Sequence, residues 1–314
     1  MYQSLALRKD ISFGVVVPAL DRKTTLTYAR QVEDAEFDSL WVSDHVSFYV
    51  PIMESLTMLS FIAGVTDRVR LCTGIYLLPL RHPTITAKMT STLDVLCEGR
   101  LTLGIGVGGE FPPEFAACGV PVEERGPRAD ESIQVMRKLW TESNVAYHGD
   151  YFDFGPVSIN PRPCQPSGPP IIVGGRKGAS MRRAGQFGDG YISHMCSAKQ
   201  FQDNMKQIDG HAQRFGRGEV DFESIAFIFT FPDASYERAL DRAAAMLESI
   251  YNRPFREAAQ KYCLLGRPED FLEQMQAFVD AGARHFVFSV PENFADFIEI
   301  FQKTLKPLQR QLTV

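Results

Sequence analysis

Residues 70–107 read RLCTGIYLLPLRHPTITAKMTSTLDVLCEGRLTLGIGV. Two short runs rich in Leu, Ile, Val and Thr, at 70–79 and 101–107, flank a stretch whose apolar residues recur at helical spacing. Pro83 stands where a helix begins, since the first turn has no use for its missing N–H. Gly99 stands just past the far end, where a left-handed residue closes a helix. The unit is therefore strand, helix, strand. Neither strand shows the in–out alternation of a half-exposed sheet, so both are read as parallel and buried on two faces.

The same unit repeats on either side. Toward the N-terminus lie strands at 11–18 and 39–43 and helices at 24–36 and 54–65, the first helix with Leu26, Ala29 and Val32 on one face. Toward the C-terminus a helix at 123–140 leads to strands at 171–174, 191–194, 225–231 and 285–290. Helices at 179–187 and 199–215, one running through Tyr251, one at 268–281 and one from Asn293 fill the intervals. Eight β/α units in order predict a closed (β/α)8 TIM barrel, with residues 1–314 as one domain. A doubly wound open sheet is the architectural alternative. One insertion interrupts the series at about 144–170. VAYHGDYFDF at 145–154 reads as a hairpin turning at His-Gly-Asp, and six prolines in 155–170 bar a regular element.

Composition narrows the partners. Hydrophobic residues make up 45%, charged residues 23%, and the formal net charge is −5. With no long basic run, nucleic acid and anionic membrane are not expected as main partners. No apolar run reaches the ~18 residues of a membrane span, and the first residues lack the pattern of a signal peptide. A cytoplasmic location is expected. Six cysteines without a CxxC pair read as free thiols in a reducing compartment, with a zinc site or disulfides as the alternative. No histidine or carboxylate spacing suits a metal, so none is expected.

In such a barrel the active site gathers at the C-terminal ends of the strands. Strand two ends at Asp44-His45, strand three carries Gly74-Ile75, strand four ends in Gly106-Val107-Gly108-Gly109-Glu110, and strand six ends at His194. Strand five runs into Gly174-Gly175-Arg176-Lys177-Gly178-Ala179-Ser180, a glycine turn before a helix. Free N–H groups and the positive end of that helix favour an anion, and Arg176 and Ser180 add phosphate donors. A plain tight βα turn is the other reading of that loop. GIGVGG at 104–109 is not a dinucleotide fingerprint, because the FPPEF that follows is read as barring an immediate helix. His45 is read as a ligand-facing imidazole or a structural one. His82, His148, His211 and His285 are read as loop, surface or helix-facing residues. Neither GxSxG nor a Cys/His pair suggests covalent hydrolysis.

FDSLWVSDHV, the 68–109 segment, IIVGGRKGASMRRAGQFGDGYIS and LGRPEDFLEQMQAFVDAGARHFVF together resemble the bacterial luciferase-like family of flavin and deazaflavin oxidoreductases. The likeness runs over nearly the whole chain and implies a barrel that holds an isoalloxazine or deazaflavin ring in its mouth. SDHV, LLPLRHP and LDVLCEGRL are most similar to the branch that uses coenzyme F-420; FMN, with reduced flavin and oxygen in a monooxygenase, is the alternative. The resemblance implies His45 beside the ring and a non-proline cis peptide at Gly74-Ile75; in the hydride-transfer reading Asp44 is expected to orient the His45 imidazole. It implies Gly106, Val107 and Gly108 as a wall, and Gly174, Gly175, Arg176 and Ser180 at the phosphate. Tyr49 stands where some relatives carry tryptophan, and Glu110 one residue beyond an acid of others. Tyr49 and His194 are substrate candidates, Glu110 a catalytic one. The expected activity is hydride transfer between coenzyme F-420 and a small organic molecule, by a homodimer. A barrel that binds the ring without chemistry is the third reading.

Overall fold

The computed structural model describes residues 2–314. Eight parallel strands form its centre: β1 Ser12–Val16, β2 Ser39–Val42, β3 Arg70–Thr73, β4 Leu101–Gly106, β5 Ile171–Gly174, β6 Gly190–Ser193, β7 Val220–Pro232 and β8 His285–Ser289. Each pairs with the next in chain order. β8 also pairs with β1, His285 opposite Ser12, and this closes the sheet into a (β/α)8 barrel. An open doubly wound sheet is thereby ruled out.

Around the barrel run α1 Arg22–Asp34, α2 Ser55–Ala63, α3 Pro83–Leu96, α4 Pro112–Ala117, α5 Arg125–Thr141, α6 Gly178–Phe187, α7 Ala198–Arg214, α8 Tyr236–Tyr251, α9 Arg256–Tyr262, α10 Phe271–Asp280 and α11 Phe294–Ile300. Local chemistry starts these helices where they start. Asp21 accepts from the Thr24 N–H at 2.9 Å before α1, and His82 Nδ1 accepts from the Thr84 N–H at 3.2 Å before α3. Ser197 and Gln200 form a reciprocal capping box on α7. The insertion forms a hairpin, Val145–His148 with Asp153–Val157, docked where Glu131 accepts from the Tyr151 and Phe152 N–H groups.

Four differences from the sequence reading bear on the site. The run at 70–79 breaks at the cis Gly74-Ile75 bond, and only Tyr76–Leu77 resumes pairing, with Ile105 and Gly106. β7 is longer than expected because Leu5–Leu7 and Leu264–Gly266 extend its ladder at either end. Those elements have three residues each, too few to show a period. FPPEF does begin a helix: Pro112 occupies the first turn of α4, where proline is tolerated.

The fourth difference is His285, which is not peripheral. It is 1% exposed at the base of the barrel. Its Nε2 meets Ser39 Oγ and its Nδ1 meets Glu223, both at 2.7 Å. The Trp41 indole N–H donates to Ser39 Oγ at 2.7 Å, so the Ser39 hydroxyl donates to Nε2 and Nδ1–H donates to Glu223. Arg70 completes the group on Glu223 at 2.9 Å. Burial alone pushes the Glu223 carboxyl upward, but Arg70 and His285 reverse this and hold it well below the usual carboxylate range. Above this polar base the barrel is filled by Val16, Trp41, Cys72, Ile172, Ile192 and Ile225.

Candidate active site

The C-terminal ends of all eight strands open into one cleft of about 850 Å³, a size that holds a cofactor and a small partner. Its walls follow the strands: Val17-Pro18 after β1, Asp44-His45 after β2, Gly74-Ile75 after β3, Val107 to Glu110 after β4, Gly174 to Lys177 after β5, and His194 after β6.

His45 lies on this wall with its ring stacked on Phe48 at 4.0 Å. Its Nδ1 is held at 3.0 Å by Glu114, whose side chain is fully buried. The same carboxylate accepts the N–H groups of Val46 at 3.1 Å and Ser47 at 3.3 Å. Glu114 thus fixes both the imidazole and the chain that follows it, and leaves Nε2 as the ring nitrogen for a ligand.

Asp44 does not orient that imidazole. It is 2% exposed and accepts from Arg81 at 2.8 Å, the Leu77 N–H at 2.9 Å and Ser55 Oγ at 3.1 Å. Its lone pairs are committed to tying the end of β2 to the segment after β3. A side chain adjacent in sequence points the other way along an extended chain. Glu110 is half exposed and pairs with Arg176 at 3.2 Å across the cleft mouth. Tyr49 does not line the cleft; it stands outside, edge-on to Phe48 and Phe111, and Phe48 supplies the wall. His194 lines the cleft and shares a 3.0 Å hydrogen bond with the Tyr251 hydroxyl. Burial, helped by Arg176 and Arg253, pushes its imidazole down to about 4, so it is neutral near pH 7.

The glycines divide into two tasks. A Cβ on Gly106 would stand 1.9 Å from Ile75 Cδ1, so Gly106 makes room for Ile75 rather than lining the cleft itself. Gly174 meets the same side chain at 3.0 Å. Val107 and Gly108 do line the wall. Gly175 has φ +146°, and a Cβ there would stand 2.0 Å from Ser180 Oγ. Its bareness lets the loop close against the start of α6. No side chain among the described residues caps that helix, so its first N–H groups have no side-chain acceptor. Among the described residues, no cluster of His, Cys, Asp or Glu is placed to hold a metal.

A sequence profile described as luciferase-like monooxygenase matches residues 12–299. The chain belongs to that luciferase-like family. It is 28% identical to a protein of Kineococcus radiotolerans named F420-dependent glucose-6-phosphate dehydrogenase, over 90% of this chain and 92% of that one. Its fold is similar to an F420-dependent secondary alcohol dehydrogenase in complex with an F420-acetone adduct, with a TM-score of 0.85 at 20% identity, covering 95% and 99% of the two chains. It is also similar to a monooxygenase from Streptomyces bottropensis, with a TM-score of 0.80 at 23% identity over 95% and 99%.

In this luciferase-like chain the sequence reading passed over three groups. Glu114 sits one turn into α4, the helix that FPPEF hid. Arg125 Nε and Ser193 Oγ are buried in the cleft wall without a hydrogen-bond partner. Buried donors are normally paired; both atoms are covered by the chain itself and stand out as under-satisfied groups of the wall. Arg125 follows a second acid-rich turn and Ser193 ends a strand; neither position carries a local sequence signal.

Proposed function

We propose that the protein is an oxidoreductase that moves a hydride between coenzyme F-420 and a small organic substrate. One observation carries this: a cleft with an anion cradle at β5 and α6, a bare wall at Val107 and Gly108, and the buttressed imidazole of His45. The name borne by the Kineococcus relative supports the choice of cofactor. The residues fit such a group. The uncapped start of α6, Arg176 and Ser180 suit its phosphate. When bound, the deazaflavin supplies a two-electron hydride centre. His45 Nε2 gives or takes the proton at the substrate oxygen, and Glu114 keeps Nδ1–H turned away from it. The apolar wall around Phe48 keeps water from the reacting atoms.

The same reading takes residues 1–314 as one domain with an insertion at 144–170. It places the protein in the cytoplasm, supported by six unpaired cysteines, and makes it a homodimer, supported by Phe61, Ile85, Met89 and Leu96 exposed on α2 and α3. No helix among the described residues is long and apolar enough to cross a membrane. The test is to titrate the protein with coenzyme F-420 and with FMN, then follow substrate-dependent bleaching of the visible deazaflavin band. Binding of FMN alone, with oxygen consumed when that flavin is reduced, would make the protein a flavin monooxygenase and overturn the proposal.

A further inference from the structure

We propose that the site takes an uncharged substrate with an apolar body, an alcohol or its carbonyl partner, and not a phosphorylated sugar. This rests on the coenzyme F-420 reading above. Charge is distributed unevenly around the cleft. Four cationic side chains line it: Arg125, Arg176, Lys177 and Arg183. All four follow β4 or β5. Arg183 is bound to Asp130 and to the Gly126 carbonyl, and Arg176 reaches Glu110. Arg176, Lys177 and the start of α6 form one anion site, on the cofactor side of the cleft.

The opposite side, after β7, β8, β1 and β2, presents Leu20, Ile52, Met53, Met58, Met246 and Ile250. Among the described residues, no Lys or Arg lines the cleft in that sector. Arg22 and Lys23, just beyond Leu20, are exposed and do not line the cleft; Arg81 is held on Asp44, Arg242 between Asp233 and Glu292, and Arg253 over the Tyr251 and Phe255 rings. A phosphate of −1.5 to −2 charges, roughly, placed there would lose water without gaining a counter-charge. A hydrocarbon body buries against methionine and isoleucine at no such cost, and Met adapts its shape to varied ligands. His45 Nε2 suits one substrate oxygen. The reaction balances: the alcohol carbon gives a hydride to the oxidised deazaflavin, the hydroxyl proton passes to His45 Nε2, and the carbonyl compound remains.

The experiment uses the purified protein with coenzyme F-420 and a series of secondary alcohols from 2-propanol to 2-octanol, beside glucose 6-phosphate. The expected result is that kcat/KM rises about fourfold for each methylene that enters the apolar sector. Glucose 6-phosphate is expected not to be oxidised and to inhibit only in competition with the cofactor. Calorimetric titration of the loaded protein with cyclohexanone is expected to show binding that glucose 6-phosphate does not displace. The proposal is overturned if glucose 6-phosphate is oxidised more efficiently than every alcohol, if chain length has no effect, or if no alcohol in the series is oxidised. Failure of coenzyme F-420 to bind refutes the cofactor reading instead. In that case the calorimetric comparison of cyclohexanone with glucose 6-phosphate on the protein alone decides the substrate class.

Discussion

Replacing Glu114 with Gln tests which acid serves His45. Glu114 is buried and accepts from His45 Nδ1 at 3.0 and 3.2 Å, and from the Val46 and Ser47 N–H groups at 3.1 and 3.3 Å. Glutamine keeps the shape and one carbonyl acceptor but loses the charge and places an NH2 group among donors. A hydrogen bond to a charged group contributes roughly 1.5–3 kcal/mol. If that contribution holds the imidazole in its reactive orientation, its loss lowers kcat by roughly 10- to 150-fold. The companion variant is Asp44→Asn. Its carboxylate touches Arg81, Leu77 and Ser55 but not the imidazole. Removing one partner of that buried pair is expected to cost roughly 3–5 kcal/mol of stability with kcat of the folded fraction nearly unchanged. The assay is steady-state turnover of the deazaflavin band with KM and kcat resolved, alongside chemical denaturation of each variant. For Glu114→Gln, kcat falls while substrate KM moves less than about threefold, the pattern of a transition-state interaction. An unchanged kcat in Glu114→Gln, or an equal loss of kcat in Asp44→Asn with folding intact, refutes the assignment.

His45→Ala is expected to lower kcat by roughly 10²- to 10⁴-fold while fluorescence titration shows cofactor affinity held within a few-fold. Gly175→Ala puts a Cβ 2.0 Å from Ser180 Oγ and opens the anion loop; the cofactor dissociation constant is expected to rise at least tenfold, about 1.4 kcal/mol, and unchanged binding would remove the loop from the cradle. Glu223→Gln takes one partner from the Arg70–His285 network and is expected to destabilise by roughly 3–5 kcal/mol in denaturant unfolding. His194 titrates near 4 in the folded chain against an ordinary 6.5. The unfolded chain therefore takes up the proton first, and stability falls as pH drops from 6.5 toward 4. The full effect is at most about 3 kcal/mol, because the side chain borders an open cleft. His194→Gln removes that slope.

The barrel was legible because its signal is repetition. Eight buried runs with helices between them survive errors of two residues at each boundary. The strand ends were legible for the same reason: once β2 is second in a barrel, the residues after Val42 must stand at the mouth. What stayed hidden has short range in sequence and long range in space. Glu114 lies 69 positions from the imidazole it holds, and the helix that carries it spans six residues opened by two prolines. Asp44 drew attention by adjacency, yet adjacency in an extended segment separates side chains. His285 looked peripheral because one polar residue at the start of a strand resembles a turn; only its three buried partners give it a reason to be inside.

Trp41 joins the hidden base to the visible mouth. Its indole nitrogen is the first donor of the chain that runs through Ser39 and His285 to Glu223 and Arg70. The other edge of the same ring lies under the cleft, 3.0 Å from where a Cβ on Gly74 would be and 3.4 Å from one on Gly104. A buried ion group by itself adds little stability over apolar packing. Here it also holds the indole nitrogen of Trp41, the largest side chain in the barrel, whose ring packs directly beneath Gly74. Gly74 permits this approach, whereas Gly104 is bare because a Cβ there would stand 2.0 Å from the Thr73 carbonyl oxygen. The polar base and the bare residues above it are therefore two ends of one support, and a change at Ser39 is expected to be felt at the mouth before it is felt in the fold.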